Sequence, residues 1–180
     1  MTGRLIGVVG PSGVGKDSVM AGIAEADHRY RVVKRTITRA PDLGGEDYDA
    51  MDTETFLAAA ETGAFALHWT AHGLSYGIPA SVCEDIRTGA QCLANLSRGV
   101  LLEAARVFPA LTVLHITASP DVLAARLASR GRETSTEIAG RLRQARKPVP
   151  DGLDVIAVSN DGPLSGTVAA ALSKLQPVRV

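Results

Sequence analysis

The sequence has little cysteine, no net charge and no long apolar run, and each shortage excludes a class of protein. Its 180 residues contain two cysteines, too few for a disulfide framework. Nineteen basic residues balance nineteen acidic ones, so no overall field attracts nucleic acid or an anionic membrane. No apolar run is long enough to span a membrane, and the apolar stretch after Arg4 is too short for a signal peptide. We therefore expect a cytoplasmic protein whose partners are small molecules.

A glycine-rich loop follows the first apolar run of the chain. It fits the phosphate-binding pattern G-x-x-x-x-G-K-[ST], except that an aspartate replaces the final hydroxyl residue. The loop consists of Gly10, Pro11, Ser12, Gly13, Val14, Gly15, Lys16, Asp17 and Ser18. A helical pattern follows, so backbone N–H groups and the positive end of a helix dipole would surround a phosphate. We expect an exposed Lys16 side chain that reaches the terminal phosphates of ATP, and an Asp17 that binds the nucleotide's Mg²⁺.

Strand-like and helix-like segments alternate along the chain. Apolar residues at helical spacing lie between the strand candidates, for example in the stripe Leu164, Val168, Leu172 and Leu175. This order predicts an α/β fold of the P-loop NTPase type, in which helices cover a parallel sheet and the ligand binds at the carboxyl ends of the strands. The predicted strands are residues 5–9, 30–33, 65–71, 91–96, 112–117 and 155–159.

Two arginine-rich regions interrupt the alternation. Residues 35–48 predict a polar loop that holds an anion, with Arg35 and Arg39 near its start. A second cluster consists of Arg126, Arg130, Arg132, Arg141, Arg143 and Arg146. In an arbitrary domain such a cluster is more often a solvated helix face with ion pairs. Beside a nucleotide loop it also fits the cations that phosphoryl transfer needs around the transferred group.

Several motifs together resemble the guanylate kinase family over nearly the full length of the chain. They are GPSGVGK at 10–16, TITR at 36–39, GEDY at 45–48, HGLSYG at 72–77 and VSND at 158–161. The resemblance implies one domain over residues 1–180, with an acceptor-binding region at about 35–80 and an arginine-rich lid at about 126–146. Within the family, the segment ALHWTAHGLSYGIP at 66–79 is similar to members whose acceptor is ribose 1,5-bisphosphate and whose product is 5-phosphoribosyl 1-diphosphate.

The resemblance also assigns roles to individual residues. It implies that Lys16 and the lid arginines Arg126, Arg130 and Arg141 are catalytic and hold the donor phosphates of ATP. It implies that Asn160 lies near the donor adenine. The residues that would bind the acceptor phosphate are Arg35, Arg39, Tyr48 and Tyr76.

Three positions depart from the family pattern. The glutamate that pairs with the guanine edge is Leu67 here, and the hydroxyl residue that contacts the base is Ile78. Neither side chain can form a hydrogen bond with a purine. Asn95 replaces the aspartate at a strand end, which puts the usual acidic anchor for a magnesium-bound water in doubt. These departures oppose a nucleoside monophosphate kinase, while the retained Lys16 opposes a non-catalytic binding module of the same family type.

The remaining polar residues near the acceptor segment leave alternatives open. His68 and His72 are four residues apart, but without an acidic partner we expect them to contact an anion or to pack rather than to bind zinc. Glu46 and Asp47 could receive sugar hydroxyls or simply solvate a turn. Trp69 is expected to pack under the acceptor site.

Overall fold

The computed structural model describes residues 3–40, 46–129, 131, 134–145 and 147–176, and these residues form two sheets with helices around them. The strands are β1 (Arg4–Val9), β2 (Tyr30–Val32), β3 (Arg35–Ile37), β4 (Tyr48–Ala50), β5 (Phe65–Ala71), β6 (Leu74–Pro79), β7 (Gln91–Asn95), β8 (Leu111–Thr117) and β9 (Val155–Ser159). The helices are α1 (Lys16–Ala26), α2 (Thr53–Glu61), α3 (Ser81–Arg87), α4 (Leu101–Val107), α5 (Pro120–Ser129), α6 (Ser135–Ala145) and α7 (Leu164–Leu175).

The central sheet consists of five parallel strands in the order β2-β7-β1-β8-β9. β1 lies in the middle, with Val8 opposite Asn95 of β7 and Val9 opposite His115 of β8. Because parallel strands end at the same edge, this register brings the glycine loop after β1 beside the residues that follow β7 and β8. The predicted α/β fold with a helix-covered parallel sheet is confirmed.

Each face of the central sheet is covered by its own apolar cluster. On one face, α1 and α7 pack on β1 and β8 through residues such as Val19, Ile23 and Val168. On the other face, α3 and α4 pack on β7, and Leu67 and Ile78 of the second sheet join the same cluster. The second sheet is therefore fixed to the central sheet through buried apolar side chains.

The second sheet has four strands in the order β4-β3-β6-β5. β3 and β4 are parallel, whereas β6 is antiparallel to both β3 and β5. The prediction of a polar loop over residues 35–48 was wrong at both ends, since Arg35–Ile37 and Tyr48–Ala50 are strands. They are three residues long and rich in polar side chains, so they carry little alternation that could reveal them.

The predicted strands agree with the structure to within one residue at each end. The segment 65–71 differs in its partners, because it belongs to the antiparallel part of the second sheet rather than to the parallel sheet. No helix of the described residues combines the length and the apolar character needed to cross a membrane.

Candidate active site

The glycine loop leads from β1 directly into α1. Gly13 and Gly15 have φ angles of 84° and 93°, in the left-handed region that glycine adopts without strain. A Cβ atom at Gly15 would also lie 2.8 Å from the amide nitrogen of Asn160. Gly15 is the N-cap of α1 and has no side chain with which to cap it. The backbone N–H groups of the first helical turn therefore remain suited to a phosphate.

Lys16 folds back over this loop. Its Nζ donates to the carbonyl oxygens of Gly10 at 3.0 Å and Pro11 at 3.3 Å. The expectation of an exposed lysine was wrong, because the loop backbone wraps around the side chain and leaves it half-buried. Burial lowers the pKa of Lys16 to about 8, although the charge of Asp17 opposes the shift. A phosphate bound beside the ammonium would raise that pKa again.

Asp17 is half-buried in the first turn of α1. Burial raises the pKa of its carboxyl, and the negative charge of Glu46 adds to that shift. The amide nitrogen of Asn95 lies 3.4 Å from the Asp17 Oδ1. A divalent cation would relieve the repulsion between the carboxylates, and carboxylate and phosphate oxygens are the ligands that Mg²⁺ prefers. The donor set at Asp17 thus fits the metal that the sequence predicts there.

Asn160 holds the glycine loop through side-chain hydrogen bonds. Its amide nitrogen donates to the Val14 carbonyl at 2.8 Å, and its Oδ1 accepts from the Thr167 hydroxyl at 2.7 Å. The side chain is buried with both polar ends occupied, so we assign it to holding the loop rather than to contacting the adenine. Arg126 lies nearby and donates to the carbonyls of Val14 and Asn160.

A cleft of about 930 Å³ opens beside the loop, between the central sheet, the second sheet and α6. Cationic and aromatic side chains from all three parts of the fold line it. The lining residues include Gly10, Pro11, Ser12, Lys16, Arg35, Arg39, Trp69, His72, Tyr76, Asn95, Arg98, Arg141 and Lys147. A cleft with this lining can bind an anionic ligand next to the terminal phosphates of a nucleotide in the loop.

Arg35 donates hydrogen bonds to neighbouring groups inside the protein. Its Nε and Nη2 form a two-point ion pair with the Glu46 carboxylate, and its Nη1 donates to the Asn95 carbonyl at 2.9 Å. Its guanidinium also lies over the Tyr76 ring, 4.9 Å from the centroid. Through this ion pair Glu46 neutralises Arg35, which does not agree with a merely solvating role for Glu46. The expected contacts of Arg35 with a phosphate and of Glu46 with sugar hydroxyls stay predictions. Asp47 is exposed and pairs with Lys34.

Arg39 has two side-chain donors that no described residue satisfies. Its guanidinium stacks on the Tyr48 ring, 4.4 Å from the centroid. Its Nε and Nη2 are buried, and they find no hydrogen-bond acceptor within the described part of the chain. Tyr48 itself donates from its hydroxyl to the Ala40 carbonyl at 2.5 Å. Unsatisfied buried donors are rare and costly, and an oxygen of a bound ligand would satisfy these two.

Only some of the expected acceptor residues on the hairpin of β5 and β6 line the cleft. Trp69 and Tyr76 stack with their ring centroids 5.4 Å apart and line the cleft, as expected for a tryptophan under the site. His72 lies at the turn with a φ of 53° and also lines the cleft. His68 does not: it is exposed, and its ring packs edge-on against Phe56. Its expected acceptor-binding role is therefore corrected, because it lies beside α2.

The positions that read a purine in the family lie inside the apolar core. Leu67 and Ile78 face each other in the register of β5 and β6, and they are 2% and 0% exposed. They leave no polar group at those positions for a base edge.

Helix α6 belongs to the segment expected to form a lid, and its Arg141 lines the cleft. Arg141 donates to the Ser12 hydroxyl of the loop. Arg130, a predicted catalytic residue, lies outside the described residues. Arg98 and Lys147 also line the cleft, although the sequence reasoning assigned them no role. The signal for Arg98 was its position just after a predicted central strand, where α/β proteins place ligand-binding residues.

The described residues include no group of three or more histidine, cysteine, aspartate or glutamate side chains that could hold a metal ion. His68 packs against Phe56, whereas His72 lines the cleft. A magnesium ion shared between Asp17 and a bound nucleotide would not require such a group.

The loop after β1, its lysine and the arginine-lined cleft at the edge of a parallel sheet define a protein of the P-loop kinase class. The family model described as guanylate kinase matches residues 2–170, and the chain belongs to the guanylate kinase family.

Two relatives and one solved structure illustrate the similarity. A protein of a Ruegeria species named ribose 1,5-bisphosphate phosphokinase is 52% identical over 179 residues, which cover 98% of this chain and 94% of that protein. A Brucella melitensis protein of the same name is 42% identical over 181 residues, with coverages of 99% and 94%. The crystal structure of guanylate kinase from Anaplasma phagocytophilum has a TM-score of 0.67 at 17% identity, covering 97% of this chain and 85% of that one, and it shows the fold.

Proposed function

We propose that this chain is an ATP-dependent kinase that phosphorylates ribose 1,5-bisphosphate to 5-phosphoribosyl 1-diphosphate. The relatives that match it over nearly their full length carry that activity in their name. The observation that carries the proposal is that Arg39, in the cleft, has donors without a partner among the described residues, while the apolar Leu67 and Ile78 replace the groups that would read a purine. A compact sugar bisphosphate fits this combination better than a nucleotide acceptor.

The proposed reaction is a phosphoryl transfer between two phosphates. An oxygen of the C1 phosphate attacks the γ-phosphorus of ATP, and the bond from that phosphorus to the β–γ bridging oxygen breaks. A new phosphoanhydride forms on the sugar, and ADP leaves with the electron pair of the broken bond. The attacking oxygen is already largely ionised at neutral pH, so no protein base is needed. Catalysis then rests on positioning and on charge neutralisation.

The chain's own cations would supply that neutralisation. Lys16 would bind the terminal donor phosphates, and Arg141 reaches the loop from α6. Arg126 and Asn160 hold the Val14 carbonyl and thus the shape of the loop. Asp17 would hold Mg²⁺, which when bound neutralises charge on the donor phosphates.

We also propose that different parts of the chain bind the acceptor and the donor. Residues 35–80 would bind the acceptor, and residues 126–146 would form a lid over the donor within one domain of residues 1–180. We place the reaction in the cytoplasm, in keeping with free cysteines at positions 83 and 92.

A product assay with a panel of acceptors tests the function. ATP and Mg²⁺ are supplied with ribose 1,5-bisphosphate, ribose 5-phosphate or GMP, and kcat/KM is measured for each acceptor. We expect ribose 1,5-bisphosphate to exceed GMP by about 10⁴-fold, because a site without base-reading groups leaves the polar edge of a purine unpaired. A GMP value equal to or above that for ribose 1,5-bisphosphate would return the chain to the nucleotide kinases.

A further inference from the structure

Arg98 lies in the cleft at a position that none of the sequence motifs assigned. It follows β7 directly, in the 3₁₀ turn Arg98–Val100. Its side chain lines the cleft together with Lys16 and Arg39. It is also close enough to Lys16 for its charge to contribute to the lowered pKa of that lysine. Arg98 is therefore a cation near the point where the donor phosphates would end.

Neighbouring groups fix the orientation of the Arg98 guanidinium. Its Nη1 donates to the Gln144 carbonyl at 3.3 Å, and its Nη2 lies 3.4 Å from both the Ala145 carbonyl and the His115 Nε2. The two carbonyls belong to the last turn of α6, where a cation is favoured. The third nitrogen, Nε, is buried and has no hydrogen-bond acceptor among the residues that the structure describes. An oxygen of a bound ligand would satisfy that donor.

Among the described residues, the groups that hydrogen-bond to Arg98 are two backbone carbonyls and an imidazole, none of which carries a negative charge. Burial lowers the pKa of His115, and the charge of Arg98 lowers it further, so the imidazole is neutral at pH 7. The ion pairs within the described ranges of the chain do not include Arg98. Arg98 can therefore offer both a charge and a directed N–H group to an anion.

The Arg35 guanidinium, in contrast to that of Arg98, is paired with a carboxylate inside the protein. Its guanidinium nitrogens all donate inside the protein, and the Glu46 carboxylate neutralises its charge. A phosphate monoester carries close to two negative charges at neutral pH, and Arg39 supplies only one positive charge. Arg98 offers a second guanidinium with an available donor in the same cleft. We propose, on the basis of the proposed function, that Arg98 takes the place of Arg35 and binds the acceptor phosphate together with Arg39.

Calorimetry on a non-reacting ternary complex tests this role. The loop is saturated with Mg²⁺ and a non-hydrolysable ATP analogue, and ribose 1,5-bisphosphate is titrated into wild type, Arg98→Gln and Arg98→Lys. We expect Arg98→Gln to raise the Kd of the bisphosphate by at least about tenfold, since charge-assisted hydrogen bonds are among the strong ones. The Kd of the ATP analogue should change by less than about threefold. The matched control is Arg106→Gln, on exposed residue 106 of α4, which should leave both constants within about twofold.

Two results would overturn the proposal. One is an unchanged bisphosphate Kd in Arg98→Gln. The other is an equal weakening of both ligands, which is what a purely structural role at the end of α6 would produce. If Arg98→Gln does not fold, Arg98→Lys is judged by the same two outcomes, since lysine keeps the charge but cannot place an Nε–H group.

A separate arm distinguishes failure of this role from failure of the proposed function. If wild type neither binds nor phosphorylates ribose 1,5-bisphosphate, the proposed function is wrong. The same titrations are then made with inorganic phosphate, again with the donor loop occupied. A weaker phosphate Kd in Arg98→Gln than in wild type supports the subsite whatever sugar it serves, and equal values overturn it.

Discussion

The Glu46 carboxylate holds the Arg35 guanidinium at two points, and Arg35 is only 5% exposed. The next residue, Asp47, forms its ion pair with Lys34 at the surface, where its side chain is 86% exposed. Removing one partner of a buried pair leaves an uncompensated charge, whereas an exposed pair contributes little. These two adjacent carboxylates therefore have very different effects on stability.

Glu46→Gln should lower the free energy of unfolding by about 3 kcal/mol, because it leaves Arg35 buried without its counter-charge. Asp47→Asn is the matched control and should change it by less than about 0.5 kcal/mol. Urea denaturation followed by circular dichroism measures both. Equal losses in the two variants would show that the Arg35–Glu46 pair does not stabilise the fold.

Lys16→Ala should remove nearly all transfer activity while leaving the protein folded. The lysine donates to two loop carbonyls, and its ammonium would stabilise charge on the transferred phosphoryl group, so its loss removes that stabilisation from the transition state. We expect kcat to fall by about 100-fold or more, with a thermal midpoint within a few degrees of wild type. Lys174→Ala, in α7 and outside the cleft lining, serves as control. More than about a tenth of the activity remaining in Lys16→Ala would contradict the assignment.

The lowered pKa of Lys16 predicts a pH dependence of ATP binding. The free protein loses the lysine proton as pH rises through about 8, whereas the phosphate-bound form retains it. Binding above that pH must therefore take up a proton, and affinity should fall with rising pH by up to about tenfold per unit. Titrating ATP with Mg²⁺ between about pH 7 and 10 measures the slope, and Lys16→Met should abolish it. The same slope in both proteins would exclude Lys16 as its source.

Asp17 should make ATP binding unusually dependent on magnesium. Without the metal, the Asp17 carboxylate repels the negatively charged triphosphate. Partial burial of the carboxylate strengthens that repulsion. ATP affinity with and without Mg²⁺ is compared in wild type and Asp17→Ser, which restores the usual hydroxyl of the loop. We expect the ratio of the two affinities to be clearly larger in wild type. Equal ratios would mean that Asp17 does not act through the metal.

The central sheet could be predicted because its strands are continuous apolar runs separated by helical patterns. The glycine loop was equally clear, since its spacing and its position between a strand and a helix agreed. Strands β3 and β4 could not be found in this way. They are short, polar and held by their neighbours in the second sheet rather than by their own pattern.

The roles of single arginines were harder to predict than the presence of a cationic site. Nothing in the sequence pairs Arg35 with Glu46, because the ion pair depends on how β3 and the residues before β4 meet in space. Arg39 and Arg35 look equivalent in sequence, yet only Arg39 keeps unsatisfied donors. Arg98 stands alone in the sequence, outside the arginine cluster between residues 126 and 146, so only its position after a predicted strand indicates a site residue.

The burial of Leu67 and Ile78 makes the loss of purine recognition difficult to reverse in evolution. Both residues now belong to the apolar cluster that joins the second sheet to the central one. A glutamate introduced at position 67 would enter a site that is 2% exposed, where an ionised carboxylate is very unfavourable. The first mutational step towards a nucleotide acceptor would thus weaken the fold before any new contact with a base could form.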